Sequence, residues 1–233
     1  MLANKTLLSR IANYLIINAS SVNHLGLYHG KMGLVLFFEH YARYTGINFY
    51  EDFAEELLND ICENINSDLS IDFENGLTGI AWGIEYLVQN EFIEGNTSDI
   101  LFEINKIIIE RDPLRMQDVS FNRGILGIAY YFACHISMVK DNMSQYYFKY
   151  LYEMKCALVV NRIKFNEIKI YKRIYPFYKL INSGEVYCKI KCQFPQDLLN
   201  PVSIDLLERK ELSSFHLGLH LGLAGIGLKE MLK

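Results

Sequence analysis

A pair of glycines three residues apart opens four apolar stretches of this 233-residue chain, and no other feature of the sequence restricts the fold as tightly. The pairs are Gly30 with Gly33, Gly76 with Gly79, Gly124 with Gly127, and Gly222 with Gly225. Their first glycines are 46, 48 and 98 residues apart, so the last interval has room for one further copy near Tyr171 to Tyr175 whose glycines are lost. A recurring period of this size marks a repeat architecture. Each pair leads into a run that is apolar nearly all round, which a helix tolerates only when buried. Between these runs lie two-faced stretches, such as Glu51 to Cys62 and Ser98 to Glu110, with apolar residues at three-to-four spacing and charges opposite. The repeating unit is therefore a hairpin of one inner and one outer helix, and about five of them make an all-α protein.

Such hairpins stack into an open solenoid or a closed α/α toroid. His24-Leu-Gly-Leu-x-x-Gly-x-x-Gly33 and His216-Leu-Gly-Leu-x-x-Gly-x-x-Gly225 share one pattern, and they are the first and last copies. The ends of a solenoid are atypical caps, whereas the ends of a ring are neighbours, so the match favours the toroid. Only 4 prolines stand against 15 glycines, and a hydrophobic fraction of 51% with 21% charged residues excludes a disordered chain. Residues 1–233 are expected to form a single domain. From about 157 to 201 the repeat pattern breaks: Val186, Cys188, Ile190, Cys192 and Phe194 alternate with Tyr187, Lys189, Lys191 and Gln193. That period of two predicts a short β insertion near 165–200.

A net charge of −4 without any long Lys/Arg cluster argues against a nucleic-acid partner. Five cysteines, odd in number and set mostly in apolar stretches, fit a reducing cytoplasm better than a disulfide scaffold. The first ten residues do not resemble a signal peptide, and no apolar run approaches the ~18 residues of a membrane span.

The repeats about 48 apart, together with Asn75-Gly-Leu-Thr-Gly-Ile-Ala-Trp-Gly83 and the closing Gly222-Leu-Ala-Gly-Ile-Gly227, resemble the lanthionine synthetase C-like (LanC-like) family over residues 20–140 and 213–233. The resemblance implies a toroid whose loops before the inner helices gather at one mouth. In the family's cyclases a zinc ion held by two cysteines and a histidine activates a peptide cysteine thiolate. The thiolate adds to a dehydrated Ser or Thr to close a thioether ring. Those ligands come from Trp-Cys-Tyr-Gly and Cys-His-Gly stretches, and neither occurs here. The nearest mimic, Cys134-His135-Ile136, lies ten residues past Gly124, well inside an inner helix, where it fits a buried cysteine and a satisfied histidine. No metal, no cofactor and no catalytic residue is assigned. At ~48 residues per hairpin a seven-hairpin ring of the family takes ~340 residues, so this chain is roughly two hairpins short.

Function is expected at the mouth, where each inner helix would bring its positive end and free N–H groups. The residues preceding the starts are His24 and His29; Asp72, Glu74 and Asn75; Asp118, Asn122 and Arg123; and His216 and His220. This polar rim suits a peptide or a carboxylate, although Asp72, Asn75 and Asn122 are equally suited to capping helices. The resulting expectation is an accessory, peptide-binding member of the family, acting with a precursor peptide and a peptide-modifying enzyme. An active zinc-dependent cyclase or thiol-addition enzyme with atypical ligands is the alternative. So is a carbohydrate-active toroid, with Asp72 and Glu74 opposite Asp118 as its acid/base pair. Cys188 and Cys192 with His216 and His220 only superficially resemble a zinc set, because strand positions four apart stand ~13 Å from one another.

Overall fold

A computed structural model describes residues 2–136, 144–160, 191–194, 198–199 and 211–233. Every regular element among them is helical. In chain order they are α1 (Leu2–Asn18), α2 (Lys31–Thr45), α3 (Phe49–Asn64), α4 (Leu77–Gln89), α5 (Thr97–Ile100), α6 (Phe102–Ile109), α7 (Ile125–Ile136), α8 (Ser144–Val160) and α9 (Leu223–Met231). Short 3-10 turns lie at Ala19–Ser21, Pro113–Arg115 and Leu212–Ser214. The protein is thus of the all-α class that the repeats imply. The expected β insertion and the hairpin near Tyr171 fall outside the described residues. At their margins α8 runs to Val160 and residues 191–194 carry no regular structure. The chain divides into two compact units, residues 1–66 with 194–233, and residues 67–193.

In the first unit α2 and α9 are the inner helices. Leu34, Val35, Leu36, Phe37 and Phe38 are wholly buried on successive faces of α2, as an all-round apolar helix requires. Outside it, α3 buries Ala54, Leu57 and Ile61, sets Tyr50 and Phe53 against Phe38 and turns most of its charges to water. The outer partner of α9 is α1, which buries Leu8, Ile11, Ala12 and Leu15 at helical spacing. The N-terminal helix therefore completes the last hairpin. The first and last inner helices pack on each other, as their shared sequence pattern requires. Gly227 permits that approach, since a Cβ there would lie 2.4 Å from Phe37 Cε2.

The second unit repeats the arrangement with α4 and α7 inside. Every residue of α7 is buried, as is every residue of α4 from Leu77 to Leu87. Helix α6 lies on α4, and α8 on α7. The stretch Ser98 to Glu110, read from its pattern as one amphipathic helix, is instead two, α5 and α6, which meet at Leu101. Leu101 takes ψ 4° and its side chain is fully buried. The backbone ladder continues across it, from Leu101 N–H to Thr97 O (3.0 Å) and from Asn105 N–H to Leu101 O (2.8 Å). The break is a local bend that buries one side chain without losing these bonds.

All four inner helices start in the same way. A seven-residue loop folds back so that its first carbonyl accepts the first helical N–H seven residues later. His24 O receives Lys31 N–H (2.8 Å), Ser70 O receives Leu77 N–H (2.8 Å), Asp118 O receives Ile125 N–H (3.1 Å) and His216 O receives Leu223 N–H (2.8 Å). The fourth loop residue, Leu27, Phe73, Phe121 or Leu219, points inward and is buried. This lasso explains the glycine pairs. A Cβ on Gly76 would sit 2.2 Å from Ser70 O, and one on Gly124 would sit 2.2 Å from Asp118 O. On the second glycines a Cβ would meet the carbonyl six residues back, Leu27 O for Gly33, Phe121 O for Gly127 and Leu219 O for Gly225. Gly30, Gly76 and Gly222 have ordinary extended backbone angles, so space, rather than torsion, demands glycine there. The expected close approach of inner helices to their neighbours is present too. The larger constraint is each helix's own preceding loop.

Two substitutions separate space from torsion. Gly225→Ala puts a methyl 1.8 Å from a carbonyl, and should cost about 3 kcal/mol or prevent folding. Gly46→Ala meets only the φ of +70° at the end of α2, with open space around it, and should cost about 1 kcal/mol. Urea denaturation of both variants checks the contrast, and equal losses would count against the lasso.

Glu39 is buried in α2, and burial, with Glu51 adding repulsion, pushes its carboxyl up to about 7. The folded state then holds a proton that the unfolded chain releases near 4.5, so this group removes stability as pH rises between those values. Its neighbour His40 acts oppositely. Burial first, and Arg43 second, lower it to about 4, so its contribution grows as pH rises from about 4 towards 6.5. Glu39→Gln should raise stability at pH 8 by about 2–3 kcal/mol and leave it nearly unchanged at pH 4. An equal gain at both pH values, measured by urea midpoints, would contradict the assignment.

Candidate functional site

The rim residues are the loop positions that the lasso leaves facing outward, and each unit brings one set of them together. In the first unit the loops of α2 and α9 touch: His220 N–H donates to Tyr28 O at 3.1 Å. The His220 ring stacks on Tyr28 at 5.3 Å and stands edge-on to His29 at 5.7 Å. His24 and His216 occupy the matching first positions of the two loops, are exposed, and use their carbonyls in the lassos. The shielded Nδ1 of His220 has no hydrogen-bond partner among the described residues.

In the second unit the loops of α4 and α7 are joined by the equivalent bond, from Glu74 N–H to Asn122 O at 2.8 Å. The last loop stands to the first as the second stands to the third. Leu219 packs where a side chain on Gly33 would go, and Phe73 where one on Gly127 would go. Arg123 Nε donates to Glu74 Oε2 at 3.0 Å, and the guanidinium, 70% exposed, also feels Asp72 and Asp118. These neighbours, the Glu74 hydrogen bond foremost, push Arg123 above its ordinary value.

The carboxylates are committed as acceptors. Asp72 Oδ1 takes the N–H groups of Asn75 (2.7 Å) and Gly76 (3.1 Å), and Asp118 Oδ1 takes that of Ser120 (2.7 Å). The helix caps foreseen at Asp72 are thus turn bonds one step earlier, because glycine fills the N-cap position itself. One expectation is corrected. The first N–H group at each of these helix starts is not free to hold an anion, because a loop carbonyl already occupies it. In α2 and α9 the second is taken as well, from Met32 to Leu25 O and from Ala224 to Leu217 O. Recognition at this rim falls to side chains.

A polar network that pattern reading missed lies inside the second unit. His135 Nδ1 faces Glu85 Oε2 at 2.8 Å, and its Nε2 faces Asn105 Nδ2 at 3.0 Å. Asn105 also accepts from the Tyr131 hydroxyl and reaches Tyr147 Oη at 3.3 Å. Gln89 Nε2 donates to Glu85 Oε1 at 3.0 Å. Glu85, Asn105 and His135 are essentially inaccessible to solvent. An amide N–H pointing at Nε2 and a carboxylate at Nδ1 match a neutral imidazole with its proton on Nδ1. The only hint in the sequence was Glu85 and Gln89 one turn apart on an otherwise apolar helix.

The same geometry tests the family's zinc site. Both His135 nitrogens are engaged and buried, so the Cys134-His135 mimic does not fit a metal ligand. Among the described residues no three His, Cys, Asp or Glu side chains are grouped to hold an ion. Cys188 lies outside the described residues, and no helix among them is long and apolar enough to cross a membrane.

The family model described as lanthionine synthetase C-like protein matches residues 21–132, which contain the first three helix starts. No curated protein and no solved structure matches the chain.

Asn105→Ala would strand His135 Nε2 and Tyr131 in a dry interior and should cost about 2–4 kcal/mol in urea denaturation. Arg123→Ala, at an exposed ion pair, should leave the midpoint unchanged. A mild Asn105 variant would show that water enters the network.

Proposed function

Belonging to the LanC-like family through residues 21–132, the chain carries that family's helix starts without its cyclase ligands, and on that premise we propose that it binds peptides in the maturation of ribosomally synthesised, lanthipeptide-type products as an accessory member. The observation that carries this reading is the lasso itself. It consumes the first backbone donor at each inner-helix start, and the second in α2 and α9, and leaves an outward row of side chains. These are His24, His29, His216 and His220 in one unit, and Asp72, Glu74, Asn75, Asp118, Asn122 and Arg123 in the other. Three carboxylates around a single guanidinium make the second row net negative, which favours basic side chains on the peptide. Zinc in the family's cyclases supplies thiol activation, and no step here is routed through it. A modifying enzyme would supply the chemistry while this chain holds the substrate.

The test is fluorescence anisotropy with a labelled precursor peptide that contains Ser, Thr, Cys and basic residues. Micromolar association is expected, weakened about tenfold by Glu74→Gln combined with Asp118→Asn. It should also weaken with added salt. No association at high micromolar concentration would overturn the reading.

A further inference from the structure

Leu221 is held in a conformation that the lasso does not need. It is the sixth residue of the loop before α9, and its φ of +54° lies in the left-handed region. At the same register the other loops carry His29, Asn75 and Arg123, which close the same first bond outside that region. Among the described non-glycine residues only Glu91 and Leu221 enter it. Leucine is a poor occupant there, because its Cβ crowds the backbone where glycine, asparagine or aspartate are the ordinary choice. Burial does not compensate, since the residue is 47% exposed. A lone exposed leucine is commonplace, but strain kept on a binding rim without serving the fold marks a side chain kept for its contacts.

The loops around it are poor in charge. Residues 24–30 and 216–222, the two loops of the first unit, contain no Asp, Glu, Lys or Arg. Gly26 and Gly218 stand where the second unit's loops have Asp72 and Ser120, and a Cβ on Gly218 would lie 2.4 Å from Tyr28 O. Leu221 is tied on both sides before any ligand arrives: His220 N–H donates to Tyr28 O at 3.1 Å, and Leu223 N–H to His216 O at 2.8 Å. The His220 ring beside it is already stacked on Tyr28 and stands against His29.

We propose that Leu221 is the specificity-determining residue of this rim, meeting an aliphatic or aromatic side chain of the bound peptide. The inference rests on the peptide-binding reading above and adds to it the class of side chain that the first unit takes. Contact between leucine and an apolar group removes both from water, which favours the bound state without asking for a polar partner. A carboxylate, ammonium or amide brought to the same place loses water and gains no hydrogen bond from leucine, so it is rejected. Because the backbone on each side is fixed beforehand, docking orders little more than the leucine side chain itself. Asparagine at this position would relieve the backbone strain and forfeit the contact, so stability and selectivity move in opposite directions.

The experiment measures anisotropy with two labelled peptides of equal length and charge. Both contain Ser, Thr, Cys and Lys, with leucine at the remaining positions of one and asparagine at those of the other. The full unsubstituted chain should bind the leucine peptide about tenfold more tightly, and the preference should persist in added salt. Leu221→Asn should erase the preference while its urea midpoint stays level or rises, since asparagine accepts the left-handed backbone. Ile47→Asn, which changes a comparably exposed residue beyond the far end of α2, should leave the preference intact. Equal binding of the two peptides by the unsubstituted chain would sink the proposal while leaving peptide binding standing, even where a variant fails to fold. So would a preference that survives Leu221→Asn or is lost equally with Ile47→Asn. A lowered urea midpoint for Leu221→Asn would assign the leucine to packing and count equally against it. Association of neither peptide would overturn the peptide-binding reading and this inference together.

Discussion

The hydrogen bond from each first inner-helix N–H to the carbonyl seven residues back is the constraint on which the rest depends. A helix start leaves its first N–H groups without intrahelical partners, and a buried start must satisfy them. Here no side chain does so; the backbone of the preceding loop does. That choice admits nothing larger than hydrogen at the N-cap position and, where the second glycine is crossed, at the third residue of the helix. It drives one apolar residue per loop into the core. It also sets the register between neighbours, since the Glu74 to Asn122 bond of one unit and the His220 to Tyr28 bond of the other are the same bond.

Satisfying the helix starts internally moves any recognition onto side chains. The first N–H group at each start is taken, and the side chains at the rim are chiefly imidazole in one unit and carboxylate with one guanidinium in the other. The interior of the second unit carries a different kind of specificity. Glu85, His135, Asn105 and Gln89 connect α4, α6 and α7 through bonds that are individually modest, but each would be costly to leave unmade. The same chain of bonds extends to the backbone at Cys192.

Much of this was legible in the pattern of residues. The glycine pairs located the four helix starts. The apolar runs identified α2, α4 and α7 as inner helices, and the matched decapeptides paired the first copy with the last. The family resemblance rested on Asn75 to Gly83, which lies within the match over residues 21–132, and on Gly222 to Gly227, which lies outside it. The rim residues were chosen only as those preceding a helix start. The loop that crosses each start could not be read there, because its partner atoms are backbone carbonyls, which every residue carries. Nor could Glu85 find His135 by period, since a contact across 50 residues leaves no local signature.

By itself the sequence determined the helical class, the repeat and the places where glycine is obligatory, because hydrophobic period and the absence of a Cβ are properties of residues in order. The tertiary structure alone decided that α1 serves as the outer helix of the last hairpin. It also decided that the first donor of each inner helix is taken by a loop carbonyl and that His135 is locked between Glu85 and Asn105. Each of these depends on which atoms meet after distant segments pack. Burial then raises the cost of any polar group left without a partner, so the pairings that satisfy those groups are the ones that persist.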